Sequence, residues 1–173
     1  MRKHLIRFII LVGILILCGC GFHLKGQTVL PDYLGDPHVK GDDLELVQGL
    51  ESALVVLGSV PQEKIFGSSS ILELQRVSYF REVGSLDQSG KVRGYILKFE
   101  VVYRLTTPDL DILVEETVLT LSRNLDYNPG QVLQLQRAES LLRAEMVNEL
   151  AQRIVNRVLT LSARISGLES ADT

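Results

Sequence analysis

The chain has 173 residues, of which 46% are hydrophobic and 23% are charged. This length is typical of one globular domain, and the composition excludes a disordered chain, a collagen-like repeat and a disulfide-dense miniprotein. The 21 acidic residues exceed the 18 basic ones, so the formal net charge is -3. Because nucleic-acid-binding domains usually carry a basic excess, this charge argues against a nucleic-acid partner.

The first twenty residues carry the features of an export signal. A basic start at residues 1–7 leads into an apolar run from Phe8 to Leu17. About ten apolar residues are too few to cross a hydrocarbon layer of roughly 30 Å as a helix, but they match the apolar core of a secretory signal. The following Leu17-Cys18-Gly19-Cys20 segment resembles the lipobox of bacterial lipoproteins. The alternative is an ordinary signal peptide with two incidental cysteines.

We therefore predict a lipoprotein signal peptide at residues 1–19 and one mature domain at residues 20–173, with an N-acyl diglyceride on Cys20. Cleavage leaves 15 basic and 21 acidic residues, so the mature charge becomes -6. Acyl chains such as palmitate contribute roughly 0.8 kcal/mol per buried CH₂, and two or more give stable anchoring. No free thiol remains for a disulfide, a metal or a nucleophile. Gly21, where an aspartate would retain the protein in the inner membrane, favours the outer membrane.

The first part of the mature chain contains one clear element. Glycine and proline interrupt residues 21–43 too often for a long helix or strand. A short amphipathic helix is predicted over residues 43–57, where Asp42 and Glu45 have capping-box spacing and Gly58 suits the position after the helix end. The apolar stripe of this helix consists of Leu46, Val47, Leu50, Leu54 and Leu57.

Three strands follow, at residues 71–81, 92–105 and 112–124. The second alternates strictly, and its predicted core face consists of Tyr95, Leu97, Phe99, Val101, Tyr103 and Leu105. In the first strand the apolar positions change parity near Gln75, which indicates a bulge. Residues 83–90, rich in glycine and serine, predict a hairpin connection, and the short turns indicate an antiparallel meander.

A long helix is predicted over residues 137–165, roughly 40 Å at 1.5 Å per residue. Its apolar stripe consists of Leu142, Met146, Val147, Leu150, Ile154, Val155, Val158, Leu161 and Ile165. Arg143, Glu149 and Arg153 are assigned to the opposite side. The two stripes predict an α+β two-layer sandwich, with both helices on one face of a three- to four-stranded, mostly antiparallel sheet.

The sequence contains no catalytic or metal-binding motif. The histidines of the mature chain, His23 and His38, lack a third ligand at metal spacing, and Asp109 with Asp111 is more typical of a surface turn. No nucleophile elbow, phosphate-binding loop or dinucleotide-binding glycine pattern occurs. We therefore predict no catalytic residue, no metal and no cofactor beyond the covalent lipid. An anchored hydrolase would need a site assembled from generic residues.

Basic residues are frequent in the first two strands and the connection between them. They are Arg76, Arg81, Lys91, Arg93, Lys98 and Arg104. If these strands pair, several cations share one end or face and form a phosphate-binding patch. The alternative is a solvated strand face on which the cations pair with Glu82 and Glu100 of the facing strand.

The Cys20-Gly21-Phe22-His23-Leu24-Lys25-Gly26 segment resembles the first residues of mature lipopolysaccharide-assembly lipoproteins, the LptE (RlpB) family. The order of elements, from the first helix through three strands to a long final helix, is similar as well. The family usually has a clear strand before the first helix. Here residues 33–41 contain Gly35 and Pro37, so the sequence leaves this fourth strand open.

The resemblance implies a non-enzymatic lipoprotein of the Gram-negative outer membrane, anchored on its periplasmic face. It implies that the protein plugs the lumen of the β-barrel LptD, assists the assembly of that barrel and helps deliver lipopolysaccharide to the outer leaflet. Basic residues near the strand hairpin and the start of the long helix are implied to contact lipopolysaccharide, and Lys91, Arg93 and Arg137 fall there. The alternative function is an auxiliary lipoprotein of an ABC transport system for lipids or solutes.

Overall fold

A computed structural model describes residues 30–128, 130 and 132–169. The predicted signal peptide, the acylation site Cys20 and the motif that starts there lie outside the described residues. Within the described ranges, no helix combines the length and the apolar character needed to cross a membrane.

The described chain forms one four-stranded sheet, one short α-helix and one long α-helix. In order, the elements are a 3-10 turn (Asp32–Leu34), β1 (Pro37–Lys40), α1 (Leu44–Val56), β2 (Ser70–Leu86), β3 (Val92–Thr106), β4 (Ile112–Asp126) and α2 (Val132–Glu169). The strands lie in the order β1-β2-β3-β4; β1 is parallel to β2, and the other pairs are antiparallel. The predicted α+β class is confirmed, and the strand that the sequence left open is β1.

Two element boundaries differ most from the prediction. β2 continues to Leu86, so the predicted hairpin loop over residues 83–90 is wrong in its first half. Register shifts on both sides of Ser85 accommodate the glycine-rich stretch within the strand. α2 begins at Val132 rather than at residue 137, because residues 132–136 contain no glycine or proline to prevent a helical start.

The ends of α1 explain its exact position. The Asp43 carboxylate accepts a hydrogen bond from the Leu46 N–H at 3.0 Å, so Asp43 is the N-cap and the predicted capping box at Asp42 is wrong by one residue. At the other end, Gly58 has φ +91°, which favours glycine. The Ser59 N–H donates to the Leu54 carbonyl at 3.1 Å, which closes the helix as a Schellman motif.

The hydrophobic core lies between the helices and one face of the sheet. The alternating residues of β3 form its centre: Leu97, Phe99, Val101, Tyr103 and Leu105 are fully buried. In β2 the register shifts between Leu74 and Arg76, which confirms the predicted bulge and keeps Leu74 and Val77 on the core face. The other face of the sheet carries no helix among the described elements, and we call it the open face.

The sheet has two ends with different surroundings. We define the hairpin end as residues 83–93, residues 126–128 and the start of α2. We define the loop end as residues 30–36, the connection 57–69 and the turn 107–111. Register supports the division, because Ile71 pairs with Thr106 at the loop end, whereas Leu86 pairs with Val92 at the hairpin end. Both helices run from the side of the hairpin end toward the loop end.

Candidate functional site

The tip of the β2–β3 hairpin is built around Asp87. Its Oδ1 accepts hydrogen bonds from the Ser89 hydroxyl at 2.7 Å and from the Lys91 N–H at 3.0 Å. These bonds, that of the Ser89 hydroxyl first, lower the pKa of the Asp87 carboxyl. Gly90, at φ +79°, completes the turn. The tip therefore has a defined shape, and it fixes where the following basic residues emerge from the strand.

Lys91 and Arg93 emerge beside this tip with exposed side chains. The Arg93 carbonyl accepts a hydrogen bond from the Tyr127 N–H at 2.9 Å, which ties the start of β3 to the end of β4. In the described part of the chain, neither basic side chain lies within ion-pair distance of a carboxylate, although the charge of Arg93 also helps to lower the pKa of the Asp87 carboxyl. Their charges are therefore available to an anionic ligand.

Arg137 lies at the same end of the molecule, on the first turns of α2. Two residues further along the helix, Glu139 binds the Arg81 side chain of β2 at 2.8 Å and fixes the helix over the sheet. Leu135 and Ala138 line a surface depression together with Tyr127, whose N–H is bound to the Arg93 carbonyl. Arg137 itself is exposed. The fold thus brings the three predicted residues to the hairpin end, with their side chains in solvent.

The other strand cations have a different arrangement. On the open face Lys98 pairs with Glu82 at 2.6 Å, and Arg76 lies 3.7 Å from Glu100. Each of these pairs joins β2 to β3 across the sheet. For Lys98 and Arg76 the structure therefore supports the alternative interpretation, cross-strand pairing with Glu82 and Glu100. The strand cations therefore do not all share one patch, because Arg76 and Lys98 pair across the strands, whereas Lys91 and Arg93 lie at the hairpin end.

A second set of pairs on the open face is centred on Glu73 of β2. Its carboxylate lies 2.7 Å from Lys40 Nζ of β1 and 2.6 Å from Arg104 Nε of β3. The hydrogen bond from Lys40, together with that from Arg104, lowers the pKa of Glu73 despite its partial burial. These contacts connect three strands and match charges on the open face, which also carries the exposed apolar side chains of Phe80 and Val118.

Apolar side chains accompany the unpaired cations at the hairpin end. They are Val83 and Leu86 of β2 and Leu133 of α2, and more than half of each is exposed. Alkyl surface beside unpaired cations is complementary to an amphiphile that carries phosphate groups and acyl chains. The hairpin end is therefore the best candidate site on the described part of the chain.

Sequence reasoning missed the role of Arg143, which it assigned to the solvent side of the helix. Its guanidinium lies over the rings of Tyr79 and Phe99, 4.8 Å and 5.3 Å from their centroids. It also binds Asp43 at 3.1 Å and Glu45 at 2.9 Å, at the start of α1. Burial acts to lower the pKa of Arg143, but these carboxylates raise it overall.

Helical spacing contains the signal that was missed for Arg143. It precedes Met146 by three positions and Val147 by four, so it lies on the edge of the buried stripe. Glu149, also assigned to the solvent side, binds Arg123 of β4 as well as Arg153 of its own helix. Both charged residues connect α2 to other elements, so they support the fold beneath the candidate site.

Two further candidates within the described residues, His38 and Asp111, take part in hydrogen bonds that shape the fold. His38 Nδ1 lies 2.8 Å from the carbonyl of Gln62, so it joins β1 to the connection 57–69 that follows α1. Asp111 closes the β3–β4 turn, because its carbonyl accepts from the Thr107 N–H at 2.8 Å. Among the described residues, no group of three or more histidine, cysteine, aspartate or glutamate side chains is arranged to hold a metal ion.

Solved structures with the same architecture are bacterial lipoproteins. The uncharacterized lipoprotein B from Nitrosomonas europaea matches with a TM-score of 0.68 and 26% identity, over 87% of this chain and 96% of that one. The rare lipoprotein B from Shewanella oneidensis has the same fold, with a TM-score of 0.65 over 76% of this chain and 98% of that one, at 21% identity. The fold therefore defines the class: a two-layer α+β domain shared with bacterial lipoproteins.

The sequence comparisons identify the family within this class. The LptE model, described as lipopolysaccharide-assembly, matches residues 35–158, so the chain belongs to the LptE family. The LPS-assembly lipoprotein LptE of Pectobacterium atrosepticum is 25% identical over 94% of this chain and 89% of its own length. The protein of that name from Photorhabdus laumondii is 24% identical over 93% and 88%. The resemblance found at Cys20–Gly26 is thus confirmed at the level of the family.

Proposed function

We propose that the mature chain is a non-enzymatic outer-membrane lipoprotein, anchored through Cys20, that occupies the lumen of an LptD-type barrel and helps to assemble it. We further propose that its hairpin end contacts lipopolysaccharide as that lipid passes to the outer leaflet. Membership of the LptE family supports the general role in lipopolysaccharide assembly. The observation that carries the finer proposal is the pair of polar surfaces, one charge-matched and one cationic.

The open face of the sheet suits the wall of a barrel. The interior of an outer-membrane barrel is polar, so a plug needs a polar outer surface. Here Glu73 holds Lys40 and Arg104 across three strands, and Lys98 with Glu82 extends the charged surface toward the hairpin end. Matched charges keep this face hydrated before assembly. They also leave hydrogen-bonding groups for polar side chains of a barrel wall.

The hairpin end suits lipopolysaccharide, which presents phosphate groups beside acyl chains. Lys91, Arg93 and Arg137 supply exposed positive charge that forms no close ion pair within the described chain. Leu86 and Leu133 lie at the same end and expose alkyl surface. Charge-assisted hydrogen bonds to phosphate are about twice as strong as neutral ones, so these residues would dominate the affinity.

Co-purification tests the barrel proposal. The full-length lipoprotein, extracted from membranes in mild detergent, is expected to elute with a β-barrel partner of the outer membrane. Lys98→Glu together with Arg104→Glu is expected to weaken this association, because both substitutions place carboxylates beside existing ones on the open face. Arg157→Glu, at an exposed position of α2, is the control. Elution without a barrel, or with an inner-membrane transport complex, would contradict the proposal and favour the ABC-transport alternative.

A further inference from the structure

The loop end exposes a group of apolar side chains around the end of α1. Phe66 is 98% exposed and Val56 is 85% exposed. Three further apolar residues of this group are largely exposed: Val55, Val60 and Ile65. Isolated exposed apolar residues are ordinary, but a group that includes a fully exposed phenylalanine marks a surface for interaction.

The loop that carries Phe66 is held in place by hydrogen bonds. The Val60 N–H donates to the Gly35 carbonyl at 2.7 Å, and the Ser68 hydroxyl donates to the Ile65 carbonyl at 2.7 Å, across the turn that presents Phe66. Further bonds to the 30–37 segment come from the Gln62 N–H, the Ser69 N–H and the hydroxyls of Ser59, Ser69 and Ser70. The fold therefore fixes Phe66 in solvent, because this bonded turn points it outward.

The same end of the molecule receives the chain from the predicted anchor. Leu30, the first described residue, packs against the core next to the loop end. Leu30 follows Cys20 by ten positions, and even fully extended this stretch spans at most about 35 Å. A lipid on Cys20 therefore keeps the loop end close to the membrane that holds the acyl chains.

The charge of the loop selects among possible surfaces. Glu63 and Lys64, both exposed, cancel each other between Val60 and Phe66. A loop without net charge gains little from an anionic ligand, whereas apolar side chains beside a membrane gain by entering its interface. The neighbouring turn is different, because Asp109 and Asp111 flank its exposed Leu110. Repulsion from anionic lipids disfavours insertion there, so Phe66 is the centre of the candidate surface.

We propose that the 57–69 connection of the loop end docks on the phospholipid surface of the anchoring membrane, with Phe66, Ile65 and Val60 in the interfacial layer. This proposal rests on the proposed lipid anchor at Cys20. The anchor supplies proximity, and the clamped loop supplies orientation: with the loop end on the membrane, the hairpin end points away from that leaflet. A lipid-linked domain thereby acquires a fixed direction with respect to the membrane.

Tryptophan fluorescence tests the docking directly, because the sequence contains no tryptophan. Phe66→Trp in the full-length lipoprotein is incorporated into vesicles of phosphatidylethanolamine and phosphatidylglycerol. We expect its emission to shift to shorter wavelength and to be quenched by lipids brominated in the acyl chains. High salt should leave both effects unchanged, since apolar burial is not screened. Val118→Trp, exposed on the open face in the middle of the sheet, is the matched control and should keep water-like emission.

Flotation of the vesicles distinguishes a failure of the lipid anchor from a failure of the docking. If the protein floats with the vesicles while Phe66→Trp emits as in water, docking is overturned and the anchor stands. If the protein does not float, the anchor is wrong and docking fails with it. A blue shift that needs a barrel partner and resists brominated lipids would assign the loop to a protein surface and would overturn the lipid proposal.

Discussion

The hairpin end and the loop end both expose apolar side chains, yet their charges differ. At the hairpin end Lys91, Arg93 and Arg137 accompany Leu86 and expose charges that form no close ion pair in the described chain. At the loop end the charges beside Phe66 cancel. Apolar exposure therefore marks both ends as surfaces for interaction, and charge decides which amphiphile each one fits: a phosphorylated glycolipid in one case, a phospholipid surface in the other.

The largest expected effect comes from the core that both ends share. Phe99 is fully buried beneath the helices, so Phe99→Ala should lower the free energy of unfolding by about 3–5 kcal/mol. Phe66→Ala removes a phenyl ring that lies in solvent, so it should change the free energy of unfolding by less than about 0.5 kcal/mol. Urea denaturation followed by circular dichroism measures both. Equal losses would show that the loop end is packed rather than free.

A smaller loss is expected at Arg143, which joins the two helices to the sheet. Arg143→Met leaves the Asp43 and Glu45 carboxylates without their guanidinium, so we expect a loss of about 1–3 kcal/mol. Arg153→Met, which removes an exposed pair within one helix, should cost at most about 0.5 kcal/mol. Denaturation of both variants compares them. If Arg143→Met lowered the free energy of unfolding no more than Arg153→Met does, the contacts of Arg143 with the rings and with α1 would not matter for stability.

Charge reversal at the hairpin end addresses ligand binding without unfolding. Lys91→Glu and Arg93→Glu should each weaken lipopolysaccharide binding about tenfold, because one charge-assisted contact is replaced by repulsion. Lys64→Glu changes the net charge by the same amount at the loop end and should leave affinity nearly unchanged. Binding to immobilised lipopolysaccharide at low and high salt measures all three. Equal weakening by Lys64→Glu would indicate a response to net charge alone.

The smallest expected effect concerns the pH dependence of stability on the open face. The pKa of Glu73 is lower in the folded chain than its ordinary value of 4.5. Its contribution to stability is therefore complete above pH 4.5 and is lost as the pH falls through the folded pKa. Glu73→Gln should make thermal stability less dependent on pH between about pH 5 and 3. An unchanged slope would mean that Lys40 and Arg104 do not stabilise the carboxylate.

Much of the fold is predictable from periodicity. The alternation from Tyr95 to Leu105 and the stripe of α2 each determine one buried face, and Gly58 identifies the end of α1. Edge strand β1 is only four residues long, so its alternation of apolar and polar residues is too short to identify a strand. Its pairing with β2 depends on partners more than thirty positions away in sequence, so local patterns leave it undecided.

The candidate site was less predictable, because charge pairing depends on strand register. Lys98 and Lys91 are both basic residues of the same stretch, but only the register of β2 with β3 shows that Lys98 has a carboxylate neighbour. Binary patterning also assigned Arg143 to solvent, since a charge within an amphipathic helix is usually exposed. Its position over two aromatic rings follows from the packing of α2 on the sheet.

Site-specific photocrosslinking in cells tests the division between the two ends most directly. A photoreactive amino acid replaces either Lys91 at the hairpin end or Phe66 at the loop end, and adducts are identified with antibodies against lipopolysaccharide. Our account predicts a lipopolysaccharide adduct from position 91 and none from position 66, where phospholipid should be the neighbour. An adduct from position 66, or none from position 91 in a folded and correctly localised protein, would contradict it.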